Sequence, residues 1–202
     1  MNFLFHMFLS GDDPELLVGN FMGDFVKGPL GDAYPSRISQ GLMLHRKIDS
    51  FAQKDTDFQT SRLRLSASYG LYRGVLVDLF YDHFLATEWH VWSDREFADY
   101  LSWARNCVEL HHGVMPQKLQ GIIPVIFDEL LPSYSSISGI GSALTRMSRR
   151  VRRPNSLSGG EAELIRHYEE LKIDFDSFAR KAQQFASGFI SKGGEVQALV
   201  DG

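Results

Sequence analysis

The sequence predicts an all-α protein, folded as one compact multi-helix domain. Three observations carry this expectation. Apolar residues recur at spacings of three and four, the period of a helix with one buried face. Start and stop signals bound those stretches: Asp13-Pro14-Glu15 opens one, Gly28-Pro29 closes it, and Ser93 with Glu96 matches a capping box. The apolar stretch from Tyr69 to Trp92 holds no proline, as a central helix buried on most sides requires.

Composition sets the limits. The 202 residues are enough for a substantial core without disulfide or metal staples. A net charge of −4 gives no overall field for nucleic acid, and no compact nucleic-acid reader motif appears, so no nucleic-acid partner is expected. The single cysteine, Cys107, excludes an internal disulfide and a cysteine metal cluster. No apolar run approaches the roughly 20 residues of a membrane span. The opening residues lack the basic stretch of a secretory leader. The expectation is a cytoplasmic protein with no transmembrane segment.

Residues 3–9 are apolar apart from His6, and pattern alone does not separate a helical turn from a strand. A helix capped by Asp13 should run to about Lys27. A second should span about Ser36 to Ala52, with Ile38, Leu42, His45, Asp49 and Ala52 on or near one face. Residues 57–66 read as a short helix with Arg62 and Arg64 facing water. After the central helix, Phe97, Tyr100, Leu101, Ala104 and Val108 give the next its buried stripe, ending near His111-His112-Gly113. Pro116 and Pro132 bracket a segment that Pro124 should divide. A serine-rich helix from Tyr134 to about Met147 and a long last helix to about Phe189 complete the domain. It is expected to cover residues 1–192, with 193–202 as a flexible tail.

Three polar clusters interrupt this apolar pattern. Asp24 sits among Phe21, Met22, Phe25 and Val26, where a carboxylate needs a partner, a metal or a wet helix face. His45 and Asp49, four apart, suit two ligands of one ion and equally an ordinary surface pair. Asp78 and Asp82 are four apart in an apolar helix, a conflict of like charges that a divalent cation or a basic network resolves. His83 follows Asp82 and points about 100° away around the helix, still within reach of an enclosed site. His6 is either a satisfied core histidine or a further ligand. Carboxylates with imidazole suit Mn²⁺, Fe²⁺ or Zn²⁺. No zinc-finger, protease His-Glu-x-x-His, calcium-loop or phosphate-loop motif is present.

These stretches carry a resemblance. Met1-Asn2-Phe3-Leu4 with His6, Gly19-Asn20 before Asp24-Phe25 and Gly28, His45-Arg46 with Ile48-Asp49, and Asp78 with Asp82-His83-Phe84-Leu85 resemble the acyl carrier protein phosphodiesterases. The likeness extends to Ser148-Arg149-Arg150, Arg153-Pro154 and His167-Tyr168-Glu169. The region from Gln117 to Ser142 and the Gly159-Gly160 pair depart from the family pattern. The resemblance implies a relation to the all-helical HD-type phosphohydrolases. It also implies removal of 4′-phosphopantetheine from holo acyl carrier protein with Mn²⁺, or another divalent metal in its place. It further implies a metal centre drawn from Asp24, His45, Asp49, Asp78, Asp82 and His83, with His6 close by.

In that chemistry Asp24, Asp82 and His83 are the first candidates for catalysis. Arg46 is the candidate to stabilise charge on a phosphate oxygen, as a planar fork of donors. Arg146, Arg149, Arg150, Arg152 and Arg153 form a basic run, which reads either as a solvated helix end or as a dock for an acidic carrier protein. Two other functions compete. A phosphohydrolase for a nucleotide or other small phosphoester would leave the arginine run idle. A non-catalytic helical binder of an acidic partner would leave the carboxylates scattered or paired with arginines.

Overall fold

Part of the expected punctuation recurs in a computed structural model of the chain, which describes residues 3–151 and 153–193. The ambiguous opening is a helix, α1 (Phe3–Phe8). Helix α2 (Pro14–Phe21) starts as expected, with the Asp13 carboxylate accepting from Leu16 N–H and Pro14 in the first turn. It ends six residues early. The chain tightens into a 3₁₀ turn over Gly23–Phe25 because Gly23 lies against the His45 ring, where a Cβ would come within 2.1 Å of Cγ. Helix α3 (Ser36–Lys54) follows, and then α4 (Thr56–Arg64), capped by the Asp55 carboxylate.

The stretch expected as one helix from Tyr69 to Trp92 is divided. A 3₁₀ segment, Ala67–Tyr72, holds Gly70 at φ 50° and ψ −124°. The central helix α5 (Arg73–Thr87) then buries ten residues, from Leu76 to Ala86. A short α6 (Trp89–Trp92) is offset from it by non-helical Glu88. Helix α7 (Phe97–Leu110) forms without the expected capping box: no side chain caps it, and Ser93 Oγ accepts from Arg95 N–H instead.

The proline-bracketed region is broken into α8 (Gln117–Gln120), α9 (Ile123–Val125), a π turn (Ile126–Leu130) and α10 (Leu131–Ser133). Helix α11 (Ile137–Arg150) is capped by Ser136. The last helical region is two helices, α12 (Glu161–Arg166) and α13 (Tyr168–Ser191), with non-helical His167 between them. Of the expected tail, residues 194–202 lie outside the described residues. There is no strand among the described residues, and none of their helices is long and apolar enough to cross a membrane.

Helix α5 packs against α1, α4, α11 and α13. An aromatic cluster of Phe5, Phe58, Tyr81, Phe84, Phe175 and Phe178 fills that junction, with ring centroids 5.3–6.2 Å apart. Helices α2 and α3 meet closely at Gly19 and Gly41. A Cβ on Gly19 would lie 2.1 Å from the Ile38 carbonyl, and one on Gly41 would lie 2.3 Å from the Leu16 carbonyl. That contact sets Asn20 of α2 beside His45 of α3, one turn beyond Gly41.

Candidate metal centre

Two imidazoles from different helices converge on one carboxylate. His6 Nε2 lies 3.4 Å from Asp49 Oδ1, and His45 Nε2 lies 3.4 Å from Asp49 Oδ2. His6, His45 and Asp49 each offer a ligand atom within 4.8 Å of the other two, a group compatible with a divalent metal. Donors about 2.0–2.2 Å from one ion stand roughly 3.0–3.5 Å apart at ordinary coordination angles, so these separations fit a shared ion. Asp24 Oδ1 is 3.7 Å from His45 Nε2.

Asn20 sets the chemistry of both rings. It is fully buried on α2 and makes four hydrogen bonds. Its Nδ2 donates to the His6 carbonyl at 2.6 Å and to Ser10 Oγ at 3.0 Å, which fixes the amide with Oδ1 as acceptor. His6 Nδ1 meets that Oδ1 at 2.7 Å, and His45 Nδ1 meets the Asn20 carbonyl at 2.8 Å. Both partners only accept, so both Nδ1 atoms carry the ring proton. In its neutral form each ring therefore turns the Nε2 lone pair toward Asp49. Two lone pairs and a carboxylate aimed at one point repel each other unless a cation or a proton lies between them, and this donor set is the one a metal ligand shell requires.

The electrostatics follow from burial and contact. Burial pulls the His6 pKa below that of a free imidazole, and nearby His45 lowers it further. Asp24 lies well below the usual carboxylate range, held there chiefly by contact with His45. Partial burial pulls Asp49 upward, but contact with His6 and with His45 outweighs it and leaves the carboxyl lowered. Asp78 is raised by burial. His6, Asp24, Asp49 and Asp78 all line one cleft of about 590 Å³, walled by α3, α4 and α5.

Other expected site residues are engaged elsewhere. Asp82 is fully buried and accepts the Phe5 and Leu4 N–H groups at 2.9 and 3.2 Å, anchoring the start of α1. Burial pushes its carboxyl up to about 8 against the pull of those two groups. His83 Nδ1 meets the Tyr134 carbonyl at 2.7 Å, and its Nε2 lies 3.3 Å from Tyr168 Oη. Burial lowers its pKa. Neither residue lines the cleft. Arg46 also turns away, its Nη2 donating to the carbonyls of Gly28 at 2.7 Å and Val26 at 3.3 Å.

The basic run divides as well. Arg146 pairs with Glu129, whereas Arg149, Arg150 and Arg153 are exposed with no carboxylate partner among the described residues. Arg152 lies outside the described residues.

Two residues of the site escaped the sequence reading. Asn20 carries no charge to mark it within its apolar helix. Arg62, expected to face water, lines the cleft, and Arg64, with the same expectation, pairs with Asp174 at 2.8 Å.

The family model described as acyl carrier protein phosphodiesterase matches residues 1–182. Curated relatives with that name span nearly the whole chain. The one from Pectobacterium atrosepticum is 30% identical over 92% of this chain and 97% of its own length. That from Yersinia pestis is 29% identical over 88% and 93%, and that from Escherichia coli O6:H1 is 27% identical over 93% and 98%. No solved structure matches the chain significantly.

Proposed function

The chain belongs to the acyl carrier protein phosphodiesterase family, and we propose that it hydrolyses the phosphodiester joining 4′-phosphopantetheine to a serine of holo acyl carrier protein. The observation that carries the chemistry is the convergence of His6 Nε2, His45 Nε2 and the Asp49 carboxylate. Mn²⁺ is the proposed ion, replaceable by another divalent metal, because paired imidazoles and carboxylates suit it. Such an ion supplies Lewis acidity, drawing charge from phosphoryl oxygens and making water a stronger acid.

The chain's own groups then divide the work. His6 and His45 hold ligand positions whose ring protons are fixed on Asn20. Asp49 supplies an anionic ligand. Asp24, beside His45 on the cleft wall, is the proposed hydrogen-bond acceptor that orients the attacking water. The water oxygen adds to phosphorus and the phosphorus–oxygen bond to serine breaks. One hydrogen of the water ends on the serine oxygen and the other on the released monoester. Asp78 completes the acidic wall of the cleft. In this reading Asp82 supports the site from behind by anchoring α1, which carries His6, and His83 holds α5 to Tyr134 and Tyr168.

Residues 1–192 are proposed to act as one hydrolase domain in the cytoplasm, where the lone buried Cys107 stays reduced. The exposed Arg149, Arg150 and Arg153 are the proposed dock for the acidic carrier.

The test is mass spectrometry of holo acyl carrier protein after incubation with the protein and Mn²⁺, with chelator and Asp49→Asn as controls. Loss of the phosphopantetheine mass in the complete reaction alone is expected. An unchanged carrier across several divalent metals overturns the reading and turns attention to a smaller phosphoester.

A further inference from the structure

We infer that Arg62 is the residue that grips the phosphodiester in the cleft, an inference that rests on the hydrolase reading above. Arg62 is the one lysine or arginine among the lining residues, which also include His6, Asp24, Asp49 and Asp78. A phosphodiester entering there brings a negative charge toward three carboxylates. Part of that repulsion falls to the ion, and a positive group lining the same cleft offsets the rest.

The guanidinium is held ready for such a ligand. Its Nη1 donates to Gln59 Oε1 at 3.1 Å, and Gln59 Nε2 donates to the Gln53 carbonyl at 2.7 Å. Gln53 lies one turn beyond Asp49 on α3, so this chain of contacts ties Arg62 to the helix that supplies two of the metal donors. Arg62 Nε is buried and has no hydrogen-bond partner. The side chain is half-buried and makes no ion pair among the described residues. Its neighbour Arg64, two residues on, is closed off by both oxygens of Asp174. Of the other half-buried arginines, Arg37 pairs with Asp13, Arg95 with Asp12, Arg105 with Asp128 and Arg146 with Glu129, while Arg73 donates its Nε to the Ser66 carbonyl.

A guanidinium drawn partly out of water without a counter-ion is costly. A planar fork of donors matches phosphate oxygens, and a phosphate in the cleft would supply the missing charge. The role assigned from sequence to Arg46 thus passes to Arg62, because Arg46 is committed to the carbonyls of Val26 and Gly28.

The test compares the full-length protein with its Arg62→Gln and Arg62→Lys variants in three measurements. The first is Mn²⁺ affinity, which should stay within about twofold because Arg62 is no ligand. The second is binding of inorganic phosphate to the Mn²⁺-loaded protein, which Arg62→Gln should weaken at least about tenfold, with Arg62→Lys in between. The third is kcat/KM on holo acyl carrier protein, which should fall on the order of 100-fold or more in Arg62→Gln. Equal phosphate binding by wild type and Arg62→Gln overturns the inference, as does a wild type that binds no phosphate or a variant that loses Mn²⁺. A wild type that binds phosphate through Arg62 but leaves the carrier intact sinks the substrate reading and keeps the anion site.

Discussion

His6 and His45 stack nearly face to face, ring centroids 3.9 Å apart and planes 20° from parallel, and Asn20 accepts a hydrogen bond from each. Two stacked imidazoles cannot both be charged without strong repulsion, and the two Asn20 oxygens fix a proton of each ring on Nδ1 and turn Nε2 outward. The close crossing of α2 and α3 is therefore part of the metal site, since it delivers Asn20 to both rings. Replacing Asn20 with alanine should cut Mn²⁺ affinity about 10–100-fold, the usual effect of losing a group that orients ligands. It should also cost about 1–3 kcal/mol of stability, because Ser10, the His6 carbonyl and the His6 ring lose a buried partner, while His45 keeps the backbone carbonyl of residue 20. A metal titration beside a denaturant melt reads both, and wild-type affinity in the variant would sink the assigned role.

Asp49 and Asp82 should separate cleanly on substitution. The Asp49 side chain is 51% exposed and faces the two Nε2 atoms, so Asp49→Asn should abolish tight metal binding. Its stability should change by no more than about 0.5 kcal/mol, as at other surface positions. Asp82 is fully buried on the Leu4 and Phe5 N–H groups. An asparagine there offers one acceptor in place of two, so Asp82→Asn should lose about 1–3 kcal/mol. The metal should still bind to the folded fraction. Loss of the metal in Asp82→Asn with stability intact would place Asp82 at the centre instead.

The share of the metal-free protein's stability that comes from His6 and His83 should decline as pH falls below about 6.5, opposed over that range by buried Asp82, whose carboxyl takes its proton more readily in the folded state. Burial lowers the pKa of both His6 and His83. In the unfolded chain each takes a proton near its ordinary pKa, while the folded protein still refuses it. The unfolded state then binds more protons, so the contribution is complete above that pH and is lost as pH falls toward the folded-state values. Each group adds a slope of at most about 1.4 kcal/mol per pH unit. His83→Gln should remove one share, and denaturation curves between neutral pH and pH 5 should show a shallower decline. An unchanged slope would mean that His83 takes its proton in the folded state as readily as in the unfolded one.

The helical architecture is legible in the sequence where local chemistry decides it. Asp13-Pro14 fixes the start of α2, and the apolar run through α5 announces its central place. Breaks set by tertiary contact are not legible. Gly23 turns the chain because the His45 ring occupies the space beside it, and that ring comes from a helix more than a dozen residues later. The same limit applies to the site. His45, Asp49 and Asp24 stand out as charged groups in apolar helices. The choice between ligand and anchor for Asp82 depends on where α1 begins in space, which no spacing along α5 encodes. Asn20 works through amide geometry that only the folded pairing of α1, α2 and α3 creates.

The arginine run makes a kinetic prediction rather than a chemical one. Arg149 and Arg150 end α11, exposed and without an ion-pair partner among the described residues, and exposed Arg153 follows. None of the three lines the metal cleft. Reversing Arg149 and Arg150 to glutamate should leave kcat at saturating carrier near the wild-type value. At low ionic strength kcat/KM should fall on the order of 10–100-fold, because steering toward an acidic carrier depends on this patch. Near-molar salt screens charges beyond a few ångströms, so the two proteins should converge there. A small phosphodiester substrate serves as the control, since it needs no dock and should be cleaved equally by both. A drop in kcat on that small substrate would mean that the substitutions disturb the catalytic cleft, and an unchanged kcat/KM on the carrier at low salt would move the docking face elsewhere on the protein.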